Sequence, residues 1–181
     1  QADLGSDRTV DDLNLTLDWQ LNDVWQFTSI SAKRRFDSLE VFDADGTKAW
    51  FLEFAEDARG DQFSQELRFN YAGNSLNSFF GASYFAEDGS QRVPFSTEES
   101  IFLNCIGRLP GGKPCINPDG SVNILTPQLT QGRFQLLPYQ GVYQNFADNH
   151  SWSLFADVSY QVNTRLELTS GLRYVDEDKT S

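Results

Sequence analysis

The sequence predicts an all-β fold, an antiparallel up-and-down meander of about six long strands, and three observations carry that expectation. Apolar and polar residues alternate with a period of two over long runs, tight-turn residues separate every second pair of runs, and the remaining links are long. A helix would need apolar residues three and four apart on one stripe, and from Leu13 that spacing lands on Thr16 and later on Gln20.

The first strand, 11–22, places Leu13, Leu15, Leu17, Trp19 and Leu21 on one face and Asn14, Thr16, Asp18, Gln20 and Asn22 on the other. The second, 24–36, is noisier. In the third, 62–71, Phe63, Leu67, Phe69 and Tyr71 oppose Ser64, Glu66, Arg68 and Asn70. The fourth spans 76–88. Because Val24-Trp25 and Phe79-Phe80 offer an apolar residue to either side, the facing of the second and fourth strands stays open. In the fifth, 150–163, Trp152, Leu154, Ala156, Val158, Tyr160 and Val162 alternate with polar residues, and Phe155 alone breaks the pattern. In the sixth, 165–177, Leu166, Leu168, Leu172 and Tyr174 oppose Arg165, Glu167, Thr169 and Arg173, with Ser170 and Val175 as exceptions.

The links alternate between short and long. Asn22-Asp23, Ala72-Gly73-Asn74-Ser75 and Asn163-Thr164 are hairpin sequences, whereas 37–61 and 89–149 are long loops. Short turns on one side and long loops on the other is the layout of outer-membrane barrels, with the loops outside the cell. Strand length agrees, since soluble strands usually run ~5 to 6 residues and a tilted transmembrane strand needs ~9 to 11. The polar face carries Asp18, Glu66, Arg68, Asp157, Glu167 and Arg173 at mid-strand, so it expects water, and these six are the predicted lumen-facing residues. Trp19, Trp152, Tyr71, Tyr84 and Tyr174 lie towards strand ends, where interfacial aromatic girdles occur.

Composition narrows the alternatives. With 39% hydrophobic and 14% aromatic residues the chain is too apolar for a disordered polymer. Its 26 acidic against 14 basic residues argue against a nucleic-acid partner, which needs clustered Lys and Arg. No window approaches the roughly 18 apolar residues of a spanning helix. Asp3, Asp7, Asp11 and Asp12 do not resemble a signal peptide, so any export signal is expected upstream or already removed, and Gln1 looks like an internal cut. Cys105 and Cys115 enclose a turn-forming stretch. A local disulfide suits an oxidising compartment, while a zinc site would want two more ligands and His150 is the only histidine, so the disulfide is favoured.

Four short stretches in order, Ser64-Gln65-Glu66-Leu67-Arg68-Phe69, Phe80-Gly81-Ala82-Ser83-Tyr84-Phe85, Trp152-Ser153-Leu154-Phe155-Ala156 and Leu168-Thr169-Ser170-Gly171-Leu172-Arg173-Tyr174, resemble the front to middle of the barrel of TonB-dependent receptors. The resemblance covers nearly the whole chain outside the long loops. It implies a barrel of about 22 strands closed by a plug, in the outer membrane of a Gram-negative bacterium. Such a barrel takes up iron-siderophore chelates, cobalamin or carbohydrates with energy from the TonB complex. The sequence itself offers no plug, no TonB-contacting segment and no terminal aromatic strand, so residues 1–181 are expected to be a partial barrel domain. Its expected partners are outer-membrane lipid, the rest of the barrel and its plug, the TonB complex through the full-length protein and a small solute. No enzymatic role, cofactor or metal is expected.

Two other classes are weighed against this one. A soluble lipocalin-like barrel would put the apolar residues inwards around a ligand, and would seldom carry a loop as long as 89–149. An outer-membrane hydrolase is suggested by His150-Ser151, although a catalytic pair is recognised by geometry and not by adjacency. Asp43-Ala44-Asp45-Gly46-Thr47 looks like a calcium-loop fragment without the downstream Glu, and reads as a turn. The loop acids Glu53, Glu56, Asp57, Asp61, Glu98 and Glu99 are candidates for attracting cationic solutes, and Phe134, Tyr139, Tyr143 and Asn145 for touching a solute from the second long loop.

Overall fold

The computed structural model describes residues 3–108 and 114–181. Gln1, Ala2 and residues 109–113, between the two cysteines in sequence, lie outside the described residues. Six antiparallel strands form one sheet in sequence order: β1 (Gly5–Gln20), β2 (Trp25–Asp43), β3 (Glu53–Ala72), β4 (Leu76–Glu98), β5 (Pro138–Asn163) and β6 (Leu166–Thr180). The sheet is not closed, and β1 and β6 are its edges. Two short helices, α1 (Glu99–Cys105) and α2 (Thr126–Leu129), lie between β4 and β5.

The hairpins form at the expected turn residues. The Asn22 side chain accepts hydrogen bonds from the backbone N–H groups of Val24 and Trp25, both at 3.0 Å, and Asn163 does the same for Arg165 at 2.9 Å. Gly73 N–H donates to the Leu76 carbonyl at 2.8 Å. These contacts pin the register, and register decides which face each side chain occupies.

At their other ends the strands run further than the alternation predicts. β2 continues to Asp43, β3 begins at Glu53, β4 reaches Glu98 and β5 begins at Pro138, so the long loops shrink to 44–52 and 99–137. Strand extent depends on ladder hydrogen bonds between backbones, which need no period-two pattern of side chains to form. The expected ends at 36, 62, 88 and 150 mark where the amphipathic pattern fades and not where pairing stops.

Two compact units result. The turn-proximal unit comprises residues 9–36, 59–90 and 146–181. Its faces are resolved by ring contacts: Trp25 lies 5.0 Å from Tyr71, Phe27 lies 5.0 Å from Phe69, and Phe69 stacks on Phe80 at 5.5 Å. Trp25, Phe27 and Phe80 therefore share the leucine face, and Phe79 takes the ionic one. The β5–β6 register agrees, setting Leu154 against Tyr174 and Tyr160 against Leu168, with Gln161 against Glu167 on the opposite face.

Coverage along the turn-proximal part of β5 runs opposite to that of a soluble sheet. From Ser151 to Tyr160 each residue of the leucine face is exposed, and each residue of the other face is buried or half-buried. Leu154 is 52% exposed while Ser153 behind it is 2% exposed. Gln65 interrupts the apolar face, but its amide accepts from Ser31 at 2.5 Å and donates to Ser29 at 3.0 Å. Its polar atoms are thus satisfied within the sheet.

The loop-proximal unit, described over residues 3–8, 37–58, 91–108 and 114–145, is organised around a carboxylate. Glu98 is fully buried at the N-terminus of α1. One oxygen accepts from Ser100 Oγ (2.7 Å) and Ile101 N–H (2.8 Å), and the other from Leu137 N–H (3.1 Å) and the Thr126 hydroxyl. Ser100 Oγ in turn accepts from the N–H groups of Leu125 and Thr126. Burial pushes the Glu98 pKa up, but these donors outweigh it and hold the carboxyl below its ordinary value. Cys105 and Cys115 are joined by a disulfide with their Cα atoms 4.8 Å apart, and an isolated bridge between Ile116 and Val122 closes the next turn.

Removing the Glu98 carboxylate strands four donors, each costing on the order of 1 kcal/mol or more. Glu98→Ala is expected to raise amide hydrogen exchange at Ile101 and Leu137 by ~30-fold or more, by the tenfold-per-1.4 kcal/mol rule. Because its folded pKa is depressed, the Glu98 contribution is present above the unfolded value of ~4.3 and is lost as pH falls through the folded value. Proteolysis by pepsin within 99–137 should therefore accelerate on acidification below that value, and acceleration should be absent in Glu98→Ala.

Candidate functional site

The ionic face of the turn-proximal unit gathers four of the six predicted lumen residues around one phenylalanine. Phe155, the exception in the β5 alternation, lies opposite Arg173 on β6. The Arg173 guanidinium sits 5.8 Å from its ring centroid, and the guanidinium of Arg68, from β3, sits 6.0 Å from it. Arg68 also lies 5.4 Å from the Phe79 ring and pairs with Glu66 at 2.5 Å. Asp157 pairs with Gly171 across β5 and β6, and these residues line a hollow of about 470 Å³.

Glycines make this arrangement possible. Arg68 and Phe155 come from strands on either side of β4, and their approach crosses Gly81. A Cβ there would stand 2.7 Å from Phe155 Cζ and would also strike the Leu67 carbonyl. A Cβ at Gly171 would stand 2.9 Å from Asp157 Oδ2. Phe155 thus fills the space that Gly81 leaves, and the two guanidinium groups close over its faces.

Polar partners complete the face. Arg173 donates to Ser153 Oγ at 3.0 Å, and Ser153 Oγ lies 2.8 Å from Ser83 Oγ. The Arg68 Nε is buried and takes no partner among the described residues. Positive and negative groups balance within the cluster, which suits it to hold a structured polar surface against the face. Asp18 and Glu167 lie apart from it. Asp18 accepts from Thr28 Oγ1 at 2.7 Å, and Glu167 sits opposite Gln161.

The other candidates resolve differently. Phe134 is 53% exposed, and its backbone is tied to Thr130. Tyr139, Tyr143 and Asn145 are not loop residues: they belong to β5, which begins twelve positions before the expected strand. Both tyrosines pack on Phe95, at 6.1 and 5.6 Å. Glu53 and Glu98, expected among solute-attracting loop acids, are buried, and the Glu98 carboxylate is consumed by its four donors. Asp43 and Asp45 cap the 43–47 turn, with Gly46 at φ +65°, so their oxygens serve the backbone. His150 engages Tyr84 Oη at 3.2 Å and Asp148 at 2.9 Å, while Ser151, its neighbour along a strand, points to the opposite face. Among the described residues no group of three metal-ligating side chains comes together.

Sequence reasoning found the ionic members of the cluster but not its centre. The signal was present, because an aromatic residue on a polar face accompanied by glycine on the adjoining strand marks ring-over-glycine packing. The same device recurs where a Cβ at Gly60 would meet the Phe36 ring and one at Gly141 the Phe95 ring. No protein-family model matches the chain, and no curated protein matches it.

Gly81→Val should expel Phe155 from its place and destabilise the protein by ~1 to 3 kcal/mol, the usual cost of overpacking. Urea unfolding measures the loss, and the double variant Gly81→Val with Phe155→Ala should recover part of it.

Proposed function

We propose that this chain forms wall strands and outer loops of a TonB-dependent outer-membrane transporter, a protein that admits scarce solutes such as iron chelates, cobalamin or carbohydrates. The observation that carries the reading is the inverted coverage of β5. From Ser151 to Tyr160 its Trp, Leu, Val and Tyr side chains are the exposed ones, and Ser151, Ser153, Phe155, Asp157 and Ser159 are the covered ones. A sheet built for water would lose free energy by that choice, whereas hydrocarbon rewards it.

The dimensions support the same reading. Trp152 and Tyr160 bracket ~9 residues of β5, the length a tilted strand uses to cross a bilayer. Trp19, Trp25 and Tyr71 fall near the Tyr160 level, and Tyr84 and Tyr174 near the Trp152 level, as two aromatic belts require. The unpaired outer edges of β1 and β6 favour further strands on both sides, since no backbone edge persists in lipid. On this reading the Arg68–Phe155–Arg173 cluster faces the interior, where its balanced charges would meet the plug. A soluble ligand-binding barrel would need the leucines of β1, β5 and β6 gathered inwards, and they are 46 to 78% exposed where they alternate on β6.

Single-tryptophan versions of the full-length protein test the proposal. In vesicles of brominated phospholipid, fluorescence from Trp152 should be strongly quenched, and fluorescence from Trp50, in the loop-proximal unit, should not. An unquenched Trp152 in a water-soluble monomer would sink the proposal.

A further inference from the structure

The loop-proximal unit carries a row of aromatic rings on the face that also bears Arg8, Glu40 and Glu56. Phe42 of β2 stacks on Phe54 of β3 at 5.5 Å, Phe54 lies 6.1 Å from Phe95 of β4, and Phe95 stacks on Tyr143 of β5 at 5.6 Å. The row spans four adjacent strands, ~14 Å at the usual strand spacing. Its face is fixed by its neighbours. Phe42 is two residues from Glu40, which pairs with Arg8, and Phe54 is two residues from Glu56, which accepts from Gln91. Side chains two apart on a strand share a face.

These rings are not a packed core. Phe42 is 43% exposed, Tyr139 48% and Tyr143 64%. A hollow of about 200 Å³ opens beside them between Phe95, Tyr139 and Glu99. Among the described residues, neither tyrosine hydroxyl and no oxygen of the Glu99 carboxylate has a hydrogen-bond partner. The site therefore presents flat apolar faces flanked by free donors and a free acceptor.

We propose that this row is a platform for a neutral oligosaccharide. A pyranose ring has one face of C–H groups, which suits an aromatic ring, and a rim of hydroxyls that both donate and accept. The C–H faces of successive sugars would lie along Phe42, Phe54, Phe95 and Tyr143, with hydroxyls donating to Glu99 and accepting from the tyrosines. The length of the row favours a chain of sugars over a single ring. A cation would use the ring faces and Glu99 but would leave both tyrosine protons unused. The inference rests on the transporter reading in one respect, that the charged face is the one turned towards the solute path.

Saturation-transfer NMR on the full-length protein in detergent tests it, with maltotriose, cellotriose and xylotriose as probes and choline as the cationic comparison. Saturable transfer to at least one trisaccharide is expected, weakened at least tenfold by Tyr143→Ala and restored by Tyr143→Trp. Tyr143 is exposed enough that its loss should leave the fold intact, which unchanged urea unfolding would verify. Failure of all three trisaccharides, indifference to Tyr143→Ala, or a Tyr143-dependent signal from choline alone would each overturn it. Quenching of Trp152 in the same protein separates the two proposals, because a lipid-embedded protein that ignores all three sugars refutes only the platform.

Discussion

The arrangement of the strands depends on register. Successive side chains on a strand point to opposite faces, so a slip of one residue between β5 and β6 would move Leu166, Leu168, Leu172 and Tyr174 onto the face of Arg173 and Glu167. Three hairpins guard against such slips, one for each adjacent pair β1–β2, β3–β4 and β5–β6. Asn22 and Asn163 spend their side-chain carbonyls on the N–H groups of their own turns, and Gly73 closes the third. The guanidinium groups above Phe155 add a second lock, because Arg68, Gly81, Phe155 and Arg173 come from four consecutive strands and meet only in one alignment.

The two units solve the problem of order differently. In the turn-proximal unit the leucines of β1, β5 and β6 are left open, and cohesion comes from ladder hydrogen bonds, ring contacts and the covered polar side chains of β5. In the loop-proximal unit the buried apolar residues among those described are Ala49, Ile101 and Leu125, too few to hold a loop by burial alone. Glu98, Ser100 and Thr126 take over that task, with the disulfide shortening the excursion beyond α1. Hydrogen bonds to a buried carboxylate are among the stronger ones a loop can use.

Legibility in the sequence followed the physics of each region. Where one face was uniformly apolar, as from Leu13 to Leu21 and from Trp152 to Val162, alternation revealed both strand and facing. Where aromatics stood side by side, as at Phe79-Phe80, composition could not choose, and the choice rested on the long-range partners Arg68 and Phe69. The extensions of β2 to β5 were invisible because backbone ladder bonds leave no periodic trace in side-chain polarity. Glu98 looked like any exposed loop acid, since the donors that bury it lie up to 39 residues away. The ionic cluster was legible in its members and not in its centre, because Phe155 registers as an error until Gly81 is seen beside it.

The Glu98 carboxylate gathers the start of α1, the start of α2 and the entry to β5 onto two oxygen atoms. The disulfide adds a covalent tie from the end of α1, Cys105, to Cys115 on the path between those anchors. Because the ends are fixed by these bonds, the residues between them carry little of the load that holds the strands in place. A scaffold so built separates the part that must stay constant from the part that is free to follow whatever the environment offers.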